Sequence, residues 1–139
     1  MAERPDRLGF LLRHARAGLS AITEPALAVI DLNGRQFFVL AEIGEQGPVA
    51  QQRVSEALRV DRTTIVALVD ELERKGLVER KRDPADRRAY AVEVTAKGRR
   101  TLERALRVVE AAEAEFTAPL AEADRAKLRE LLGQVGTRH

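Results

Sequence analysis

Residues 61–95 join a helical pattern to a strand pattern across a single glycine, Gly76. The apolar positions before this glycine follow the i, i+3, i+4, i+7 spacing of a helix with one buried face: Ile65, Leu68, Val69 and Leu72. After Gly76 the period changes, and residues 77–82 and 89–95 are predicted to form two short strands. Residues 83–86 between them favour a turn. The segment is therefore predicted to fold as a helix followed by a β-hairpin.

Helical patterns lie on both sides of this segment. A first helix is predicted over residues 6–23, with Pro25 interrupting or kinking it. A short helix is predicted over residues 49–58, a long one over 96–116 and a last one after Pro119. The fold is expected to be mainly α with a small β-hairpin wing.

Capping residues predict where several of these helices begin. Asn33 and Gln36 have the spacing of a capping box, so a second helix is expected to start there and to end near Gly44 and Gly47. Asp61 or a nearby threonine is expected to cap the helix before Gly76, and Thr95 the long helix. The expected buried face of the second helix comprises Phe37, Phe38, Leu40 and Ala41.

Composition excludes several classes of protein. The chain has 139 residues, enough for one domain with a real core, and its hydrophobic fraction of 45% is too high for a disordered chain. It contains no cysteine, which removes disulfides and thiolate metal sites, and its two histidines lie far apart. We therefore expect no metal and no cofactor. Without a secretory signal or a membrane-spanning apolar run, a cytoplasmic location is expected.

Positive charge is concentrated in the predicted hairpin. Residues 80–88 hold five cations and two anions, a local balance of +3 against +2 for the whole chain. A helix-turn-helix followed by a cationic hairpin is the arrangement of a winged helix-turn-helix, which inserts its second helix into the major groove of DNA. The candidate DNA-binding residues are Arg62, Thr63, Thr64 and Val66 on the helix and Arg80, Arg82, Asp86, Arg87 and Arg88 on the hairpin.

Most of these residues have a specific expected role. Arg62 can bind a phosphate or a guanine edge, Thr63 and Thr64 can donate to phosphates, and Val66 can contact a thymine methyl group. Arg87 and Arg88 can enter a narrow minor groove, with Asp86 orienting Arg87. The simpler alternative is that Arg80 to Arg82 form a solvated charged face and that Asp86 only holds the turn.

Four segments of the chain resemble the multiple-antibiotic-resistance regulator (MarR) family. They are VDRTTIV at 60–66, LVDELERKGLVER at 68–80, DPADRR at 83–88 and VTAKG at 94–98. The resemblance implies a single domain over 1–139, with a winged helix-turn-helix lobe at 33–95 and dimerisation helices at 6–30 and 96–136. It also implies a homodimeric repressor that binds a pseudopalindromic operator in double-stranded DNA and is often released by a small aromatic or anionic effector.

The sequence departs from the family pattern at two positions. Arg59 stands where many members have glycine, so the turn before the second helix must form without glycine's conformational freedom. Ala67 stands where many members have an arginine that reads a base. The pattern therefore supports DNA binding more strongly than it supports any particular operator.

Four residues are weaker candidates for contact with an effector: Phe10, His14, Phe37 and Phe38. The alternative for the phenylalanines is core packing, and for His14 a partly exposed place at an interface. Two other functions remain to be weighed against a DNA-binding regulator. A winged helix used only for protein interaction would have an apolar outer face on its second helix, and an enzyme would need a catalytic set that the sequence does not display.

Overall fold

The computed structural model describes residues 7–83 and 86–136 of the chain, and the side chains of residues 86–89 lie outside this description. Within these residues the chain forms six helices and three strands. The helices are α1 (Leu8–Ala28), α2 (Gly34–Gln46), α3 (Gln51–Leu58), α4 (Arg62–Arg74), α5 (Ala96–Phe116) and α6 (Glu122–Gly136). The strands are β1 (Val49–Ala50), β2 (Val78–Asp83) and β3 (Asp86–Val94).

The three strands form one antiparallel sheet in the order β1-β3-β2. The β2–β3 hairpin, called the wing below, pairs Val78 with Val94 and Arg82 with Tyr90, and a bulge follows Arg82. Strand β1 pairs Val49 with Val92. The predicted winged helix-turn-helix is confirmed, and the sheet has one strand more than was predicted.

Helices α2, α3 and α4 pack with the wing around one apolar core. Its fully buried members are contributed by all of these elements: Leu40, Ile43, Val54, Ile65, Leu72, Val78 and Val92. Helix α5 extends the core through Leu102 and Ala105 and packs along α1, where Gly18 allows the ring of Phe116 to approach closely. The lobe formed by α2, α3, α4 and the wing is thereby packed against α1 and α5.

The predicted caps form as the sequence indicates. Asn33 and Gln36 make both bonds of a capping box at the start of α2, and Asp61 accepts from the amide of Thr64 at the start of α4. Thr95 accepts from the amide of Gly98 at 3.0 Å and donates to the carbonyl oxygen of Gly76 at 2.6 Å. The first bond caps α5, and the second joins the end of the wing to the loop after α4.

Three local predictions were wrong. Pro25 does not interrupt α1, which continues to Ala28 at the cost of the one backbone hydrogen bond that proline cannot donate. Gly44 lies inside α2 and does not end it, whereas the predicted end at Gly47 is confirmed, with a positive φ of 73° at that glycine. Phe38 is 55% exposed and does not belong to the core.

The turn between α3 and α4 contains the strain that the sequence implied. Arg59 lies in the left-handed region with φ 56° and ψ 42°, which costs a residue with a Cβ on the order of 1 kcal/mol. Ser55 holds the turn from both sides: its hydroxyl donates to the carbonyl oxygen of Val60, and its own carbonyl oxygen accepts from the Val60 amide at 3.1 Å. These two bonds hold the turn in the absence of glycine.

Candidate nucleic-acid interface

Helix α4 begins with a polar turn at the surface of the lobe. The Asp61 carboxylate accepts from the amide of Thr64 at 2.9 Å and from its hydroxyl group at 2.7 Å. These two bonds, the hydroxyl one first, lower the pKa of Asp61. The carboxylate is therefore ionised at neutral pH and serves as the helix cap, where negative charge is favourable.

The outer face of α4 is exposed and its inner face is closed. Arg62, Thr63 and Ala67 are exposed at the start of the helix, while Thr64 and Val66 are half-buried. The four apolar residues of the opposite face are all buried: Ile65, Leu68, Val69 and Leu72. The hydroxyl proton of Thr64 is engaged by Asp61, so Arg62 and Thr63 are the residues whose polar groups extend outward from the first turn.

Arg80 has a different environment from the one that its place in a cationic run predicts. Its guanidinium donates to Asp70 and to Glu73 on α4, both at 2.6 Å, and to the side-chain oxygen of Gln51 on α3 at 3.0 Å. The side chain is only 20% exposed. Arg80 thus links the wing to both helices of the helix-turn-helix, and its charge is neutralised within the lobe.

The other wing cations divide into two groups. Lys81 pairs with Glu93 and, at 3.3 Å, with Glu79, and these bonds raise its pKa. Arg82 is exposed, and its guanidinium carbon lies 5.7 Å from the centroid of the Tyr90 ring. The side chains of Asp86, Arg87 and Arg88 lie outside the described residues, so their predicted roles remain predictions.

A cavity of about 940 Å³ lies between α1, α5, α6 and the start of α2. Its wall includes the half-exposed ring of Phe38 and four arginine side chains: Arg16, Arg35, Arg125 and Arg129. Arg129 pairs with Glu113 at 3.1 Å, and Arg125 donates to the carbonyl oxygens of Thr117 and Leu120. Among the described residues, Arg16 and Arg35 have no ion-pair partner.

The four candidate effector residues fall into two places. Phe37 and Phe38 line the cavity. Phe10 and His14 do not line it; their rings meet edge to face on α1 with centroids 4.6 Å apart. Sequence reasoning missed the cavity arginines because they come from three separate helices, α1, α2 and α6. The i, i+4 spacing of Arg125 and Arg129 was the one local signal, since it places these two residues on one helical face.

The described part of the chain supports neither a metal site nor a membrane span. No group of three or more His, Asp or Glu side chains within it could hold a metal ion. Likewise, none of its helices has the length and apolar character that crossing a bilayer requires.

Comparison with known proteins identifies the family. Residues 30–89 match the model of the MarR family. A putative transcriptional regulatory protein for the hcr operon of Thauera aromatica is 34% identical over 128 residues, which are 90% of this chain and 76% of that protein. The transcriptional repressor NicR of Pseudomonas putida is 34% identical over 93 residues, 67% of this chain and 59% of NicR.

Solved structures agree with the sequence relatives. The repressor CouR, bound to a 23-mer DNA duplex, superposes with a TM-score of 0.91 at 31% identity, covering 98% of this chain and 96% of CouR. CouR from Rhodococcus jostii RHA1, bound to p-coumaroyl-CoA, superposes with a TM-score of 0.86 at 30% identity, and the match covers 100% of this chain and 98% of CouR.

The chain belongs to the MarR family of transcriptional regulators. In MarR terms, α3 and α4 are its helix-turn-helix, α4 is its recognition helix and β2–β3 is its wing. It is a transcriptional regulator with a winged-helix lobe that binds DNA.

Arg80 should behave as a structural residue of this lobe. Arg80→Met keeps the length of the side chain but leaves Asp70 and Glu73 without their shared cation. We expect the free energy of unfolding to fall by about 1–2 kcal/mol, since the bonds are charge-assisted but their carboxylates are half-exposed. Urea denaturation measures the change, with Arg82→Met on the same strand as the control. Equal stabilities for wild type and Arg80→Met would contradict the assignment.

Proposed function

We propose that this protein is a homodimeric repressor that binds a pseudopalindromic operator through α4 and the wing and releases it when a small aromatic anion enters the cavity. The observation that carries the proposal is the exposed first turn of α4, where Arg62 and Thr63 face solvent above a fully buried inner face. A recognition helix must have this two-sided character, because one side holds it in the lobe while the other reaches base edges.

Arg62 is the leading candidate for DNA contact. Its guanidinium can bind a phosphate or form two hydrogen bonds to a guanine, and the neighbouring Thr63 hydroxyl can donate to a phosphate. Half-buried Val66 and exposed Ala67 offer only apolar contacts, which suit a thymine methyl group. Arg82, Arg87 and Arg88 of the wing are proposed to contact the backbone or the minor groove. The likeness to CouR in its DNA-bound form supports this placement.

Exposed apolar side chains on the terminal helices support a dimer. Helix α6 has no buried residue in the single chain. It nevertheless carries four apolar side chains at i, i+3, i+4 and i+7, all exposed: Leu128, Leu131, Leu132 and Val135. Leu8, Leu11 and Leu12 of α1 are exposed in the same way. A second copy of the chain would cover these faces and present two recognition helices to one duplex.

The cavity is proposed to bind an aromatic anion. Arg16 and Arg35 supply positive charge at its wall, and the ring of Phe38 supplies an aromatic surface. CouR, which binds p-coumaroyl-CoA, supports a ligand with both a ring and negative charge. The cavity lies between the terminal helices and α2. A ligand in it would therefore contact both the proposed dimerisation helices and the DNA-binding lobe, and could change how one is oriented relative to the other.

Two finer points belong to the same proposal. The family consists of transcriptional regulators, and we propose that this member likewise has no catalytic activity. A regulator of chromosomal DNA acts where that DNA is, which places the protein in the cytoplasm.

Arg62 and Arg74 stand at opposite ends of α4 and form a matched pair for testing DNA contact. We expect Arg62→Gln to weaken binding to the DNA upstream of the protein's own gene by about 1–3 kcal/mol, because its end of the helix faces the duplex. We expect Arg74→Gln to change binding little. Fluorescence anisotropy over a range of salt concentrations measures both, and wild-type affinity should fall steeply with salt.

The outcome that would count against the proposal is equally specific. If the two variants weakened binding equally, α4 would not approach DNA by its N-terminal turn. If wild-type protein bound no fragment of its upstream DNA even at low salt, the proposed operator function would be wrong.

The dimer is tested by placing a charge on the apolar face of α6. Leu131→Asp would bury a carboxylate at the proposed interface, so we expect the variant to become monomeric at micromolar concentration. Tyr90→Asp, an exposed aromatic changed in the same way on the wing, should stay dimeric. Sedimentation equilibrium distinguishes the two, and a wild-type protein that sediments as a monomer would rule out the proposed assembly.

A further inference from the structure

Gln36 occupies an unusual place between α2 and the recognition helix. It is 5% exposed and is the one buried polar side chain among residues 7–83 and 90–136. Its amide nitrogen donates to Glu71 at 2.8 Å, and its amide oxygen accepts from the Lys75 ammonium group at 3.1 Å. Glu71 and Lys75 lie one turn apart at the C-terminal end of α4. The carboxamide therefore holds that end of the recognition helix by two bonds.

The same carboxamide belongs to the cap of α2. The side-chain oxygen of Gln36 also accepts from the backbone amide of Asn33 at 3.2 Å. In return, the side-chain oxygen of Asn33 accepts from the backbone amide of Gln36 at 2.9 Å. A displacement at the start of α2 is thus transmitted to the group that holds α4.

The start of α2 is in turn held by α1. Both carboxylate oxygens of Glu24 accept from the Gly34 amide, at 3.0 and 3.1 Å. Gly34 permits this approach, since a Cβ at that position would collide with the carboxylate. Glu24 and Gly34 both line the cavity. A series of hydrogen bonds, joined through the backbone between Asn33 and Gly34, therefore connects the cavity wall to the cap of α2 and to the far end of α4.

We propose that Glu24 and Gln36 are positioning residues that couple the cavity to the orientation of the recognition helix. Arg62 lies nine residues before Glu71 in α4, a distance of about 14 Å along the helix, so a tilt of about 4° at Glu71 moves the Arg62 end by about 1 Å. A shift of that size is enough to break hydrogen bonds to base edges, whereas non-specific attraction to phosphates tolerates it. Loss of this series of bonds should therefore weaken specific DNA binding more than it destabilises the fold.

The fold does not rest on Gln36 alone. Helices α2 and α4 also share the apolar core through Leu40, Ile43, Leu68 and Leu72. A leucine at position 36 has a similar volume but cannot bond Glu71 or Lys75. It therefore removes positioning while leaving the packing in place.

The inference rests on the proposed operator function, and the test keeps the two apart. A duplex is selected by wild-type protein from a random pool, and affinities for it and for a scrambled duplex are measured by anisotropy. We expect Gln36→Leu to lower the affinity for the selected duplex at least tenfold and the affinity for the scrambled duplex less than twofold. Gln46→Leu, at an exposed glutamine on the same helix that bonds Glu42, is the matched control and should lose less than twofold in affinity for either duplex.

The coupling to the cavity is tested by a double-mutant cycle. Glu24→Gln keeps the shape but loses the charge that holds Gly34, and alone it should cost about threefold in specific affinity. The double variant Glu24→Gln with Gln36→Leu should bind no more than twofold worse than Gln36→Leu alone, because the series is already broken. Independent effects would multiply to about thirtyfold, and that result would overturn the coupling.

Two further outcomes decide the inference. If the Gln36→Leu variant binds the selected duplex as tightly as the wild type does, the inference is overturned and the operator function still stands. Failure of the wild type to select any duplex would overturn both. If Gln36→Leu lowers the thermal unfolding midpoint by more than a few degrees, Lys75→Met replaces it. This variant removes the bond from Lys75 to Gln36 together with the contacts of Lys75 to Asp31, at a half-buried position, with the same expected loss of specificity.

Discussion

Helix α4 buries one whole face in the lobe, and this burial determines which of its side chains are available to contact DNA. Ile65 and Leu72 are fully enclosed by α2, α3 and the wing, so the helix has one allowed rotation about its axis. That rotation turns Arg62 and Thr63 outward. The cap of Asp61 then uses a carboxylate that would otherwise repel a phosphate at the helix N-terminus.

The charges around the recognition helix serve two separate purposes. Arg80, Lys81 and Lys75 lie in or beside the basic segments of the sequence, yet each is bonded to groups of the lobe itself. They hold the wing, the sheet and the start of α2 in place. Arg62 and Arg82 lie exposed on the surface. A local charge balance therefore overstates the positive charge available to a polyanion, because part of it is neutralised by nearby carboxylates.

Local features of the sequence predicted much of this structure. The caps at Asn33, Asp61 and Thr95 were readable because each is set by residues three positions apart. Strand β1 was missed because two residues carry no period and depend on pairing with a strand about 40 positions later. The partners of Arg80 and Gln36 were equally hidden, since they lie 7 to 39 positions away and follow from the packing of helices.

Hydrogen exchange followed by mass spectrometry tests the central claim, that the first turn of α4 meets the duplex. The amides of Arg62 and Thr63 have no partner within the helix and should exchange rapidly in the free protein. On adding operator DNA, we expect exchange to slow at residues 61–66 and in the wing, with little change in α6. Protection that appears elsewhere on the bound protein while residues 61–66 exchange as before would contradict the account.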